Sequence, residues 1–201
     1  MKTFITSDFH MGETRMDLMG RPFSGPEEML DTLVTNHNKL VAPDDDVIMV
    51  GDVCYQKAPE WLPHVNDFNG RKILIRGNHD RGITDEQFAP YFTKVIPDGG
   101  GIEKEICGIQ CYITHYPSEG RTDLFNLVGH VHSIFKYQLN MFNIGVDVNH
   151  FRPVCLDTIP FHLKAITTFY DEDAWVAYNP INMSYRESRG KLGTYFRPVV
   201  A

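Results

Sequence analysis

Lys72-Ile73-Leu74-Ile75-Arg76-Gly77-Asn78-His79-Asp80 is the stretch that decides the fold. Its first half is an apolar run flanked by basic residues, the pattern of a strand buried within a sheet. The run stops at glycine and then presents an amide, an imidazole and a carboxylate in succession. Asn offers a neutral oxygen ligand, His a ligand or proton carrier, and Asp a partner that can orient that His. Gly, Asn and Asp are also ordinary turn residues. The stretch therefore gains chemical meaning only from its surroundings.

Toward the N-terminus the same unit, a strand followed by a polar tip, recurs twice. Val47-Ile48-Met49-Val50 is a second buried strand, and it ends in Gly51-Asp52. Lys2-Thr3-Phe4-Ile5-Thr6-Ser7 is β-prone and leads into Asp8-Phe9-His10. An extended chain there points Asp8 and His10 the same way, as a chelating pair. Pro26 to Leu40 reads as an amphipathic helix, with Pro26, Glu27 and Glu28 suited to its first turn. Met29, Leu30, Leu33, Val34 and Leu40 form its apolar stripe, and His37 is a packing or surface residue. Pro43-Asp44-Asp45-Asp46 reads as a solvated turn, and Ala58 to Phe68 as a short helix. Strands alternating with helices indicate an α/β sheet, whose ligands collect at the carboxyl ends of strands.

Toward the C-terminus, a short helix around Asp85 to Phe92 precedes a change of pattern. Thr93 to Pro97, Glu103 to Cys107 and Gln110 to Thr114 are short β-prone runs separated by glycines, which points to a second, largely antiparallel sheet. Its last strand runs into His115-Tyr116-Pro117. Leu124 to Val128 ends in Gly129-His130-Val131-His132, where the two-residue spacing again aims two imidazoles together. Leu139 to Val146 is a further strand, and Ile159 to Thr168 a helix with Pro160 in its first turn. Residues 170–201 are aromatic and basic. They read as an extension of a domain spanning 1–169, packed on that domain or at a homodimer interface.

The length of 201 residues suits one domain with a sizeable core. A hydrophobic content of 42% and a charged content of 22% are those of a soluble globular protein. The net charge of −7 argues against long nucleic acid as a partner, and is compatible with a small phosphorylated substrate or nucleotide. Neither a signal-like segment nor a membrane-length apolar run is present, so a cytoplasmic location with no membrane partner is expected. The cysteines (Cys54, Cys107, Cys111 and Cys155) form no Cys-x-x-Cys pair and are expected as structural thiols.

Together the strand tips collect Asp8, His10, Asp52, Asn78, His115, His130 and His132, with His79 beside them. Carboxylate and amide oxygens mixed with imidazoles suit Mn²⁺, Fe, Zn²⁺ or Ni²⁺ better than Ca²⁺ or Mg²⁺. Seven ligands exceed a single closed zinc site. They match two ions sharing one carboxylate, with positions open for water and substrate.

The ordered set Asp8-x-His10, Gly51-Asp52, Gly77-Asn78-His79-Asp80, His115 and Gly129-His130-x-His132 resembles the calcineurin-like metallophosphoesterase superfamily over residues 8–132. Arg21-Pro22-Phe23, Thr114-His115-Tyr116-Pro117 and Gly145-Val146-Asp147-Val148-Asn149 are similar to a small bacterial and phage branch. The resemblance implies two packed mixed β-sheets flanked by helices, in a four-layer α/β/β/α sandwich. It implies a metal-dependent phosphoric ester hydrolase acting on a small phosphomonoester, phosphodiester or nucleotide. Asp8, His10, Asp52 and His132 would hold one divalent ion, foremost Mn²⁺, and Asp52 would bridge to a second held by Asn78, His115 and His130. A hydroxide between the ions would be the nucleophile, His79 the general acid, and Asp80 the group fixing the tautomer of His79. Arg21, Arg76 and Arg152 are candidate phosphate clamps by their closeness to these motifs or to His150.

Gly51-Asp52 continues as Val53-Cys54-Tyr55-Gln56, where the family's Ser/Thr protein phosphatases have Tyr-Val-Asp-Arg-Gly, so a protein-phosphatase reading is poorly supported. Two alternatives stand beside the main reading. One is a nuclease or RNA-end phosphatase, with bases stacked by the aromatic tail. The other is a non-catalytic scaffold, which the complete ligand set disfavours.

Overall fold

The units of strand and polar tip assemble side by side. In the computed structural model, which describes residues 1–169 and for 165–169 the backbone alone, β1 (Thr3–Thr6), β2 (Asp46–Val50), β3 (Arg71–Ile75) and β4 (Lys94–Ile96) run parallel in that order. A short β10 (Val154–Cys155) pairs antiparallel with β1 and closes that edge. The expected extension over 170–201 lies outside the described residues. The strands read as unbroken apolar runs because both faces are covered. Along β2, Val47 and Met49 enter one core cluster while Ile48 and Val50 enter another.

The first cluster lies under the helices. α2 (Pro26–Asn38) buries Met29, Leu30 and Leu33 against Phe4, Met49 and Leu74. Each such side chain contributes about 1.5–3 kcal/mol by leaving water. α2 stops at Asn38, so Leu40 lies beyond the stripe and is 47% exposed. The expected helix over 58–68 is a 3-10 run, Pro59–Asp67, with Leu62 and Val65 facing the core. Pro63 in its interior lacks the N–H that a regular α-helix would use. α1 (Met16–Met19) and α3 (Asp85–Phe88) are single turns. Asp45 is not in a solvated turn. It is buried, and its carboxylate accepts the Lys2 N–H at 2.6 Å and the Ala42 N–H at 3.0 Å.

The second cluster is the seam between two sheets. Ile5, Ile48, Val50 and Ile75 meet Ile113, Phe125, Leu127 and Phe142 there. Those partners lie on the three inner strands of a sheet made of β5 (Gly101–Ile106), β6 (Ile109–Thr114), β7 (Phe125–Val128), β8 (Tyr137–Gln138) and β9 (Met141–Asn143), in the order β5-β6-β7-β9-β8. The expectation of a largely antiparallel sheet is corrected. β6, β7 and β9 are parallel, and only the edge strands β5 and β8 pair antiparallel. Short glycine-bearing turns make hairpins, but the connection 115–124 is long enough to carry the chain back for a parallel partner. Cys107 sits with Gly108 at the β5–β6 turn, both at positive φ, and is exposed rather than buried. α4 (Ile159–Phe169) sets Ile159 into the inter-sheet core and stacks His162 on Phe142 at 4.2 Å. Among the described residues no helix is long and apolar enough to cross a membrane.

His37 belongs to the core. It is buried, its Nε2 lies 3.0 Å from the Asn69 carbonyl oxygen, and its ring packs edge-on to Phe68. Burial, with a small push from Lys72, holds its pKa down to about 4. The unfolded chain takes up this proton near pH 6.5 while the fold resists it. The contribution is therefore full above about pH 6.5 and is lost progressively toward pH 4. Between pH 7 and pH 5 this should remove about 2 kcal/mol from the wild type. His37→Gln keeps a donor without the titration, and urea unfolding should show that variant losing correspondingly less over the same interval.

Candidate metal centre

Strand ends of both sheets converge on one point. Asp8, His10 and His132 form one group, His10, Asp52 and His79 a second, and Asp52, His115 and His130 a third; within each, the ligand atoms lie within 4.8 Å of one another. The groups are continuous because His10 and Asp52 are each shared. Asn78 joins the third, its Oδ1 lying 3.4 Å from His115 Nε2. All seven ligands expected from sequence, and His79, are thus brought together. The first sheet delivers Asp8, His10, Asp52 and Asn78, and the second delivers His115, His130 and His132.

The delivery is not by extended chain. β1 ends at Thr6 and β7 at Val128, and Asp8, His10, Asp52, His130 and His132 have φ of 63°, 52°, 54°, 72° and 50°. The expected same-side pointing of Asp8 with His10, and of His130 with His132, is therefore corrected at its cause. His130 and His132 in fact enter different groups. Left-handed residues of this kind cost about 1–3 kcal/mol each. Hydrogen bonds hold them: the His10 N–H donates to the Asp52 carbonyl at 2.9 Å, and the His130 N–H lies 3.0 Å from both carboxylate oxygens of Asp8. Glycine precedes the tips for want of room. A Cβ on Gly77 would lie 2.7 Å from His115 Nε2, and one on Gly129 or Gly145 would lie 2.8 or 2.9 Å from Asp8 Oδ2.

Asp52 is the hinge of the cluster. Its Oδ1 accepts the His79 N–H at 2.8 Å, while its Oδ2 lies 3.3 Å from His10 Nε2 and 3.5 Å from His115 Nε2. Burial alone would raise its pKa, but the two imidazoles outweigh that and hold it well below the carboxylate range. Both ring nitrogens of His10 are buried without a hydrogen-bond partner. Leaving such atoms unsatisfied costs about 1–3 kcal/mol each, which a bound cation would relieve. His115 Nδ1 is 2.8 Å from the Val50 carbonyl oxygen, and His132 Nδ1 is 2.9 Å from Asp147 Oδ2. Each contact engages Nδ1 and leaves Nε2 to face the other ligands, the usual arrangement of a metal-ligating histidine. Orphaned nitrogens, oriented rings and a mixed N/O donor set fit divalent metal ions.

Several expected roles change. Asp80 does not orient His79. Its carboxylate accepts backbone N–H groups of Asp52 (2.8 Å), Gly77 (2.8 Å) and Val53 (3.1 Å), so it fastens the β2 tip to the β3 tip. Burial pushes its pKa up to about 7 against these donors. The Gln56 N–H instead donates to His79 Nδ1 at 3.3 Å. Arg21 is not free to clamp phosphate. It is buried, bonded to Asp147 at 2.8 and 2.9 Å and to the carbonyls of Asp8 (2.5 Å) and Phe9 (2.7 Å). Arg76 is likewise engaged with Asp85 and the carbonyls of Asp80 and Ile83. Arg152 is exposed.

Asp147 is the residue that sequence reasoning left without a role, although its motif had been singled out. It joins His132, 15 positions before it, to Arg21, 126 positions before it. Burial opposes its ionisation, but His132 and Arg21 hold its pKa well down. Asn149 braces the same motif through the carbonyls of Gly145 (2.8 Å) and Asn143 (3.0 Å), and Asn143 holds the His132 carbonyl at 2.7 Å. Asp147→Asn should weaken Mn²⁺ binding about 10- to 100-fold by titration calorimetry. Melting of the metal-free variant separates that loss from any weakening of the fold.

Known proteins bear on this site. A family model described as calcineurin-like phosphoesterase matches residues 1–159. An uncharacterized protein of Methanocaldococcus jannaschii is 30% identical over 171 residues, covering 79% of this chain and 89% of the relative. The gene 66 protein of Mycobacterium phage L5 is 35% identical over 81 residues, 39% of each chain. A crystal structure of an Aquifex aeolicus protein of unknown function shares the fold with a TM-score of 0.63 at 22% identity, covering 80% of this chain and 98% of that one. With the family model spanning the whole ligand set, the chain belongs to the calcineurin-like phosphoesterase family.

Proposed function

We propose that the protein is a dinuclear metal-dependent hydrolase of a small phosphomonoester, phosphodiester or nucleotide. The observation that supports this best is the position of Asp52 Oδ2 between His10 and His115, which lets one carboxylate serve two ligand groups. In this reading Asp8, His10, Asp52 and His132 hold one ion, and Asp52, Asn78, His115 and His130 hold the other. Mn²⁺ is the first candidate, with Fe, Ni²⁺ and Zn²⁺ next for the same donor set. Bound divalent ions supply Lewis acidity, activating water and neutralising charge on the phosphoryl oxygens.

The chain itself supplies the proton. His79 is half-buried, with its ring 4.5 Å from that of His10, and its Nδ1 accepts the Gln56 N–H. In the neutral ring that acceptor role leaves the proton on Nε2. To act as acid the ring must first take up a second proton on Nδ1 and give up the Gln56 contact, so that the Nε2 proton can pass to the departing oxygen and the ring returns to its neutral form. Arg152, the exposed one of the three arginines considered, takes the clamp role. Asp80 acts indirectly, by holding Gly77 and Asp52 in register so that His79 and the shared carboxylate keep their spacing.

Metal-stripped protein should regain hydrolysis of nitrophenyl mono- or diesters when Mn²⁺, Ni²⁺, Zn²⁺ or Mg²⁺ is restored separately, with Mn²⁺ most effective. No activity with any of them, at demonstrated metal occupancy, rejects the reading. His79→Gln should lower kcat/KM on alkyl phosphates by about 10²- to 10⁴-fold and on p-nitrophenyl phosphate far less, since an activated leaving group needs no proton. Equal losses on both would rule out the donor role.

A further inference from the structure

The loop after His10 and the loop after Asp52 build a second feature beside the cluster. The Arg15 guanidinium donates to both carboxylate oxygens of Glu13, through Nε at 2.9 Å and Nη2 at 2.7 Å, and Glu13 is itself buried. This two-pronged pair fixes the guanidinium plane. The plane lies over the Tyr55 ring, 4.9 Å from its centroid, and Tyr55 lies 5.8 Å from the His79 ring. A row of neighbouring side chains therefore leads away from the metal ligands in the order His79, Tyr55, Arg15, with the Tyr55 ring tilted 38° to that of His79. Arg15 keeps 51% of its side chain open and lines an open cavity of about 530 Å³ formed by the loop after His10, with Thr14, Met16, Asp17, Leu18, Phe23 and Ser24. That volume lies within the range of small-molecule sites.

We propose that this cavity is the leaving-group subsite and that it takes a nucleoside, with the base stacked on the Arg15 guanidinium. The proposal rests on the phosphoesterase reading. If His79 hands its proton to the leaving oxygen, the group on that oxygen extends past His79, where Tyr55 and then Arg15 stand. A guanidinium fixed by a carboxylate and half open to solvent can offer a planar face to another π-system. Met16, Leu18 and Phe23 supply apolar walls, and the Asp17 carboxylate can accept from an exocyclic amine. An alkyl leaving group would make no use of the plane.

The test combines direct binding and substrate choice. Adenosine should bind the metal-loaded wild type in a calorimetric titration. Arg15→Lys keeps a cation beside Glu13 but loses the plane, and should weaken that binding about tenfold. Leu18→Glu, at a side chain already 73% exposed, should weaken it too without a fall in melting temperature. The ratio of kcat/KM for adenosine monophosphate to that for glycerol phosphate should drop about tenfold in Arg15→Lys, mainly through KM. Failure of the wild type to bind adenosine, or an unchanged ratio in Arg15→Lys, overturns the subsite. Adenosine binding with no ester hydrolysed by the wild type overturns the phosphoesterase reading instead, and the leaving-group role with it.

Discussion

One buried carboxylate sets the terms for the rest of the molecule. Asp52 is nearly inaccessible, yet its pKa is held low, because His10 and His115 lie against one oxygen, while the His79 N–H donates to the other. An unpaired buried charge would be far too costly to keep. Its partners come from three other segments of chain, two in the first sheet and one in the second. Each must therefore end where it does. The parallel register of β1, β2 and β3 puts their tips side by side, and β6 supplies His115 across the seam.

Around that centre the polar groups form braces more than contacts with solvent. Asp80 ties two strand tips together, Asp147 ties His132 to Arg21, and Arg21 reaches back to the carbonyls beside His10. Such networks are worth their burial only when nearly every member is satisfied. One exception is His10 inside the ligand cluster, whose ring nitrogens make no hydrogen bond although Nε2 lies 3.3 Å from Asp52 Oδ2. The unmet demand sits where a cation would be received.

Much of the first sheet was legible in sequence, because strands covered on both faces leave apolar runs, and those of β2 and β3 end in Gly and a polar residue. The ligand set was legible for the same reason: its members are the polar tips of those runs. The second sheet was misread as largely antiparallel, since β-propensity reports a strand but not its partner. The roles of the arginines and of Asp80 were misjudged because nearness in sequence says little about what a long side chain meets. Arg21 ended on Asp147, and Asp80 on amides 27 and 28 positions away. The left-handed turns at the tips were hidden too, for Asp and His enter that conformation more often than most residues but adopt it at only a minority of their positions.

Those turns carry an evolutionary consequence. At Asp8, His10, Asp52, His130 and His132 the backbone occupies a region that glycine enters freely and asparagine more easily than most residues. Selection for folding alone would pull all five toward Gly or Asn, and the chain would gain ruggedness as it lost its chemistry. A demand for their side chains would hold Asp and His there against that pull. A descendant of this fold released from that demand should be recognisable by glycines accumulating at those five places while the apolar runs behind them stay unchanged.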